Sequence, residues 1–68
     1  MAPHQQRVVD EKAELDTKLE KLTEFVANNP IFPSLPDDER DRLVRQRILM
    51  DGYSKVLGER IAAFPTAA

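Results

Sequence analysis

Apolar residues recur at helical spacing in two blocks, and a proline-rich break separates them. In the first block Val8, Leu15 and Leu22 lie seven residues apart, with Leu19 and Val26 as a second row and Phe25 beside them. A stripe this narrow is the width that one partner helix covers. Lys12 stands where the second row should continue, so the stripe weakens toward the N-terminus. In the second block Leu43, Met50, Leu57, Ile61 and Phe64 share one face, the face expected to meet the first helix. Leu49, Tyr53 and Val56 widen that face on one flank, and Val44 and Ile48 lie off it. One neighbouring helix cannot cover all of these positions. The pattern therefore predicts a second, intermolecular contact.

The second stripe carries another irregularity. Followed at spacings of three and four it reads Leu43, Gln46, Met50, Tyr53, Leu57, Arg60, Phe64, with apolar and polar residues alternating along one seam. A coiled-coil seam is normally apolar. Polar groups inside one destabilise it unless they are paired, so the alternation implies a specified partner or a bound ligand.

The boundaries follow from local chemistry. Pro3 suits a first helical turn, where its missing N–H is no loss. Helix 1 is predicted from about residue 4 to residue 28, because the residue before Pro30 is pushed out of the α region. Pro30, Pro33 and Pro36 exclude helix between the blocks, and Ile31, Phe32 and Leu35 should fold back over the hairpin end. Ser34 is the expected N-cap of helix 2, with Asp37 three residues on as a capping-box acid. Asp37, Asp38 and Glu39 complement the dipole of the first turn. Helix 2 is predicted over about 35–64, ended by Pro65, with 65–68 as a frayed tail. The expected fold is all-α: an antiparallel two-helix hairpin, one domain over 1–68, assembling into a homo-oligomeric bundle of at least two copies.

Composition narrows the function. A chain of 68 residues rarely buries enough apolar surface alone. With no cysteine and one histidine, disulfides, thiolate sites and His-based metal sites leave the field, so oligomerisation is the expected staple. The net charge of −2 mixes both signs and argues against a duplex nucleic-acid binder. No apolar run approaches a membrane span and residues 1–7 lack a secretory signal, so the expected location is cytoplasmic. No nucleophile–base set, phosphate loop or metal-spaced carboxylate group is present, so no enzyme, cofactor or metal is expected.

The better candidate chemistry is anion binding. A turn near 29–36 sets Arg7 and Glu11 opposite the stretch from Tyr53 to Arg60. Arg7, Glu11 and Lys18 share one flank of helix 1, and Tyr53 and Arg60 share one flank of helix 2. Arginine matches phosphate bidentately, and tyrosine can stack on a base. Alternatively, Glu11 pairs with Arg60 and Tyr53 only caps the core. Symmetry would duplicate such a cluster across an oligomer interface. Arg40, Arg42, Arg45 and Arg47 spread around helix 2, and Asp38 and Asp41 stand four residues before Arg42 and Arg45, so they read as a solvated, ion-paired surface. Glu14 with Lys18 and Lys12 with Asp16 are the corresponding pairs on helix 1. Gly52 and Gly58 sit inside helix 2, either to admit a close neighbour or as tolerated drift.

Three segments together carry a resemblance: Gln6-Arg7-Val8-Val9-Asp10-Glu11-Lys12-Ala13-Glu14-Leu15, then Leu35-Pro36-Asp37-Asp38-Glu39, then Gln46, Met50, Tyr53, Leu57 and Arg60-Ile61. They resemble a widespread family of very small phage proteins. In architecture the chain is also similar to the phage helical-hairpin sponges of the anti-CBASS and anti-Thoeris type. That resemblance implies an oligomer in a bacterial host's cytoplasm that sequesters a cyclic nucleotide-type immune messenger without cleaving it. It puts forward Arg7, Tyr53 and Arg60 as ligand contacts, with Glu11 and Lys18 beside them. The alternative is a structural or adaptor hairpin that binds a host or phage protein, its polar seam residues only setting register.

Overall fold

The computed structural model describes residues 1–65, which form two helices of equal length folded into a hairpin. Helix α1 spans Pro3–Asn28 and helix α2 spans Asp37–Ala62, with a short 3-10 turn at Phe32–Ser34 between them. Helix α1 starts on Pro3, where the Ala2 N–H donates to Gln5 Oε1 at 2.9 Å. It ends one residue before Asn29, whose own N–H still reaches the Phe25 carbonyl at 3.2 Å.

The connector differs from the expected form. Leu35 is extended, as a residue before proline must be, so α2 begins only after Pro36, which occupies the N-cap position. Ser34 therefore does not cap α2. It belongs to the 3-10 turn, and its hydroxyl donates to the Ile31 carbonyl at 2.6 Å. The tight turn is compatible with Pro33 because its bonds come from the Ser34 and Leu35 N–H groups, not from the proline. Asn29 starts the reversal by accepting the Ile31 N–H on its side-chain oxygen at 2.8 Å. Phe32 folds back edge-on against Phe25, centroids 6.1 Å apart, and Leu35 is half-buried; Ile31 stays exposed. Helix α2 stops at Ala62, slightly before the expected end, and Phe64 donates back to the Ile61 carbonyl. Of the expected tail, Pro65 is not helical and 66–68 lie outside the described residues.

The core is a thin line between the helices. Val8, Leu15 and Leu57 are buried, with Met50, Ile61 and Phe64 packed against them. Leu57 is the one of these with no exposed surface. The molecule is a rod of 54 × 15 × 15 Å with a radius of gyration of 15.5 Å. A globule of this length would have about 11 Å. A rod this thin leaves much of its apolar surface in water: Ile48, Leu49, Tyr53 and Val56 are 54%, 73%, 45% and 51% exposed.

Candidate functional site

The alternating seam of α2 separates into two seams. Its apolar members Leu43, Met50, Leu57 and Phe64 turn toward α1 and are buried or half-buried. Its polar members Gln46, Tyr53 and Arg60, spaced by seven, are exposed. They run beside Leu49 and Val56, which α1 leaves uncovered. The polar residues are thus not inside the intramolecular core. They form, with Leu49 and Val56, a second stripe that faces outward.

An open depression of about 390 Å³ lies on this outer surface, lined by Arg42, Arg45, Gln46, Leu49, Met50 and Tyr53. All six come from successive turns of α2, so the depression is shaped by one helix alone. Its arginines are held by the acids that precede them: Arg42 reaches Glu39 at 2.9 Å and Asp38 at 3.6 Å, and Arg45 reaches Asp41 at 3.4 Å. The ion pairs expected for this surface are present. Yet the aliphatic stems of these arginines also wall the depression, a use that charge pairing in the sequence did not reveal. Gln46 lies 3.9 Å from the Met50 sulfur and so turns along its own helix.

Where the helices meet, the chain builds a polar cluster in place of the missing apolar row. Lys12 Nζ donates to Asp16 at 2.6 Å, and the Ser54 hydroxyl donates to the other Asp16 oxygen. Ser54 is 8% exposed, the one buried polar residue among those described. These two donors hold the Asp16 carboxyl below its ordinary 3.8, the Lys12 hydrogen bond first and the Ser54 hydroxyl second, against a small opposing effect of burial. The stem of Lys12 runs over Gly58: a Cβ built there would stand 3.4 Å from Lys12 Cε. The sequence showed Lys12 and Asp16 as a pair; their contact with α2 depends on the register, which it did not show.

That register corrects the expected one. Asp16 meets Ser54 and Lys12 lies over Gly58, so each position of α1 faces about five residues further along α2 than a symmetric turn implies. The cause is the connector, whose 3-10 turn stacks beyond the end of α1 and lifts the start of α2 past it. Arg7 then falls level with Ala63, about 15 Å along the axis from Tyr53 at about 1.5 Å per residue. Glu11 remains level with Glu59 and Arg60, and Lys18 with Tyr53. Because Lys12, Asp16, Ser54 and Gly58 occupy one side of the hairpin, helical periodicity puts Arg7, Glu11, Lys18, Tyr53 and Arg60 on the other. All five are exposed. Among the described residues no ion pair joins Glu11 to Arg60 or Glu14 to Lys18. Of the five, Tyr53 alone lines the depression.

No group of three or more acidic, histidine or cysteine side chains among the described residues is arranged to hold a metal ion, and none of their helices is long and apolar enough to cross a membrane. No curated protein and no solved structure matches the chain. A thin amphipathic hairpin, an uncovered outer stripe and an arginine-walled depression beside a tyrosine are features the whole chain shares in building, and the family comparison likewise spans nearly all of it: the Sequestin family matches residues 2–63, and the chain belongs to that family.

Proposed function

We propose that this protein is a phage anti-defence sponge: it binds a cyclic nucleotide-type immune messenger stoichiometrically and withholds it without cleaving it. Membership of the Sequestin family carries the reading, since the family's name denotes sequestration. The outer surface of α2 supports it chemically. Tyr53 offers a ring for a base at one end of the depression, and Arg42 and Arg45, two to three helical turns before it on the same depression, offer guanidinium groups that match phosphate. Arg60, Lys18, Arg7 and Glu11 share that side of the hairpin and extend the polar surface on which a charged ligand can lie. A shallow depression on one helix encloses little of a dinucleotide, so the ligand is held between copies of the chain in a homo-oligomer.

A ligand that binds only the folded protein raises its melting temperature by mass action. The purified chain is therefore heated with a panel of cyclic di- and trinucleotides and cyclic ADP-ribose isomers. A shift with one class, lost in Tyr53→Ala and Arg42→Ala with helix content retained, supports the reading and names the messenger. No shift with any of them overturns it. The second reading, a hairpin adaptor for a host or phage protein, is favoured by Ile48, which is 54% exposed away from the depression. Nucleotide-insensitive melting together with specific capture of one protein by the Ile48 face would select it.

A further inference from the structure

The uncovered face of α2 is laid out evenly about one position, with apolar residues at equal offsets and opposite charges further out. Gly52 lies at its centre. Ile48 and Val56 stand four residues before and after it, and Arg45 and Glu59 stand seven residues before and after it. These offsets keep all of them on the same broad side of the helix. Ile48 and Val56 are more than half exposed, Leu49 is 73% exposed, and Arg45 and Glu59 are exposed. A Cβ built on Gly52 meets nothing within 4 Å, so the intramolecular fold makes no demand for glycine there.

We propose that two copies of this chain pair through α2 in antiparallel fashion about a two-fold axis at Gly52. This deepens the oligomer part of the reading above and does not depend on any ligand. A two-fold axis places each position opposite the one equally far from Gly52 on the other side. Ile48 of one copy then packs on the partner's Val56, and the two Gly52 backbones approach with no side chain between them. Arg45 meets the partner's Glu59, and Glu59 meets the partner's Arg45. A parallel pairing would set Arg45 on Arg45 and Glu59 on Glu59, which like charges oppose. In its own chain Arg45 is held only by Asp41, at 3.4 Å with both side chains about two-thirds exposed, and Glu59 enters no ion pair among the described residues. Both are available to a partner. The rod shape agrees, because side-by-side packing along α2 is the arrangement that hides the most of an object 54 Å long and 15 Å wide. The same axis carries the partner's Arg60 toward the depression, opposite the stretch between Arg42 and Gln46, so that each copy supplies a cation to the other's binding surface.

The test is the mass of the full-length chain in solution without nucleotide, by sedimentation over a concentration series. The expected result is a dimer. Arg45→Glu alone and Glu59→Arg alone are each expected to weaken dimerisation at least about tenfold, because every reversal acts twice in a symmetric pair. The double variant Arg45→Glu/Glu59→Arg is expected to restore it. Gly52→Leu is expected to give a monomer of unchanged helix content, since the hairpin has room for that side chain. A monomeric wild type overturns the proposal, and so does a dimer indifferent to Gly52→Leu and to both charge reversals. Failure to bind nucleotide in a chain whose mass follows this pattern would sink the sponge reading and leave the interface standing.

Discussion

At the residue scale, the tertiary contacts of this hairpin rest on very few side chains. Leu57 is fully buried between the helices, so Leu57→Ala removes buried apolar volume from the core, and a loss of about 2–5 kcal/mol is expected. In so small a core that is a large share of the total; loss of the cooperative helical melt by circular dichroism checks it. Asp16 supplies a second expectation. Its folded carboxyl titrates below 3.8, so the unfolded chain binds more protons in that range and stability must fall as the pH drops through it. Above 3.8 the contribution is fully present. Melting temperatures of wild type and Asp16→Asn are therefore expected to differ most at neutral pH and to converge in acid below 3.8. A gap that stays constant down to the acid limit would show that the Lys12–Asp16–Ser54 cluster contributes nothing through charge.

At the scale of elements, the two glycines of α2 separate by their surroundings. Both are helical, and each is worth about 1 kcal/mol less than alanine in that role. At Gly58 a methyl group would stand 3.4 Å from the flexible end of Lys12, an ordinary contact, so Gly58→Ala is expected to raise the melting temperature. Gly58→Leu should lower it by displacing the Lys12 stem from the helix interface. Both effects are read in thermal unfolding. The helices themselves were legible from periodicity and proline placement, because those signals are local: the start at Pro3, the stop before Pro30 and the acidic first turn of α2 need no tertiary information. The cap was not. Ser34, followed at Asp37 by an acid, has the composition of a capping box, but Pro36 holds Leu35 extended and moves the helix start beyond reach of the Ser34 hydroxyl.

For the whole molecule, the exposed stripe of α2 is the surface through which pairing is proposed. If folding and pairing are coupled through that stripe, the melting temperature must rise with protein concentration. A concentration-independent melt is expected instead for Gly52→Leu, and differential scanning fluorimetry over a dilution series compares the two. Part of the outer stripe is legible in the sequence: Tyr53 and Arg60 break an apolar seam and both lie on that stripe, and Tyr53 also lines the depression. Arg42 and Arg45 form the solvated, ion-paired surface their spacing predicts, and the structure adds that they line one depression with Tyr53.

By itself the sequence determined two helices, the bounds of the first, the break between them and the excess of apolar positions over what a hairpin can hide, because each follows from spacing along a single chain. The tertiary structure decided which residues of the two helices share a level and which of them meet across the hairpin. Those depend on how the connector stacks, and a 3-10 turn lying on the end of α1 shifts α2 by more than a helical turn. That shift carries Arg7 away from Tyr53 and brings Asp16 to Ser54. Gly52, with Ile48 and Val56 evenly placed around it, faces open solvent for a simpler reason, because it lies on the side of α2 opposite Leu43, Met50 and Leu57.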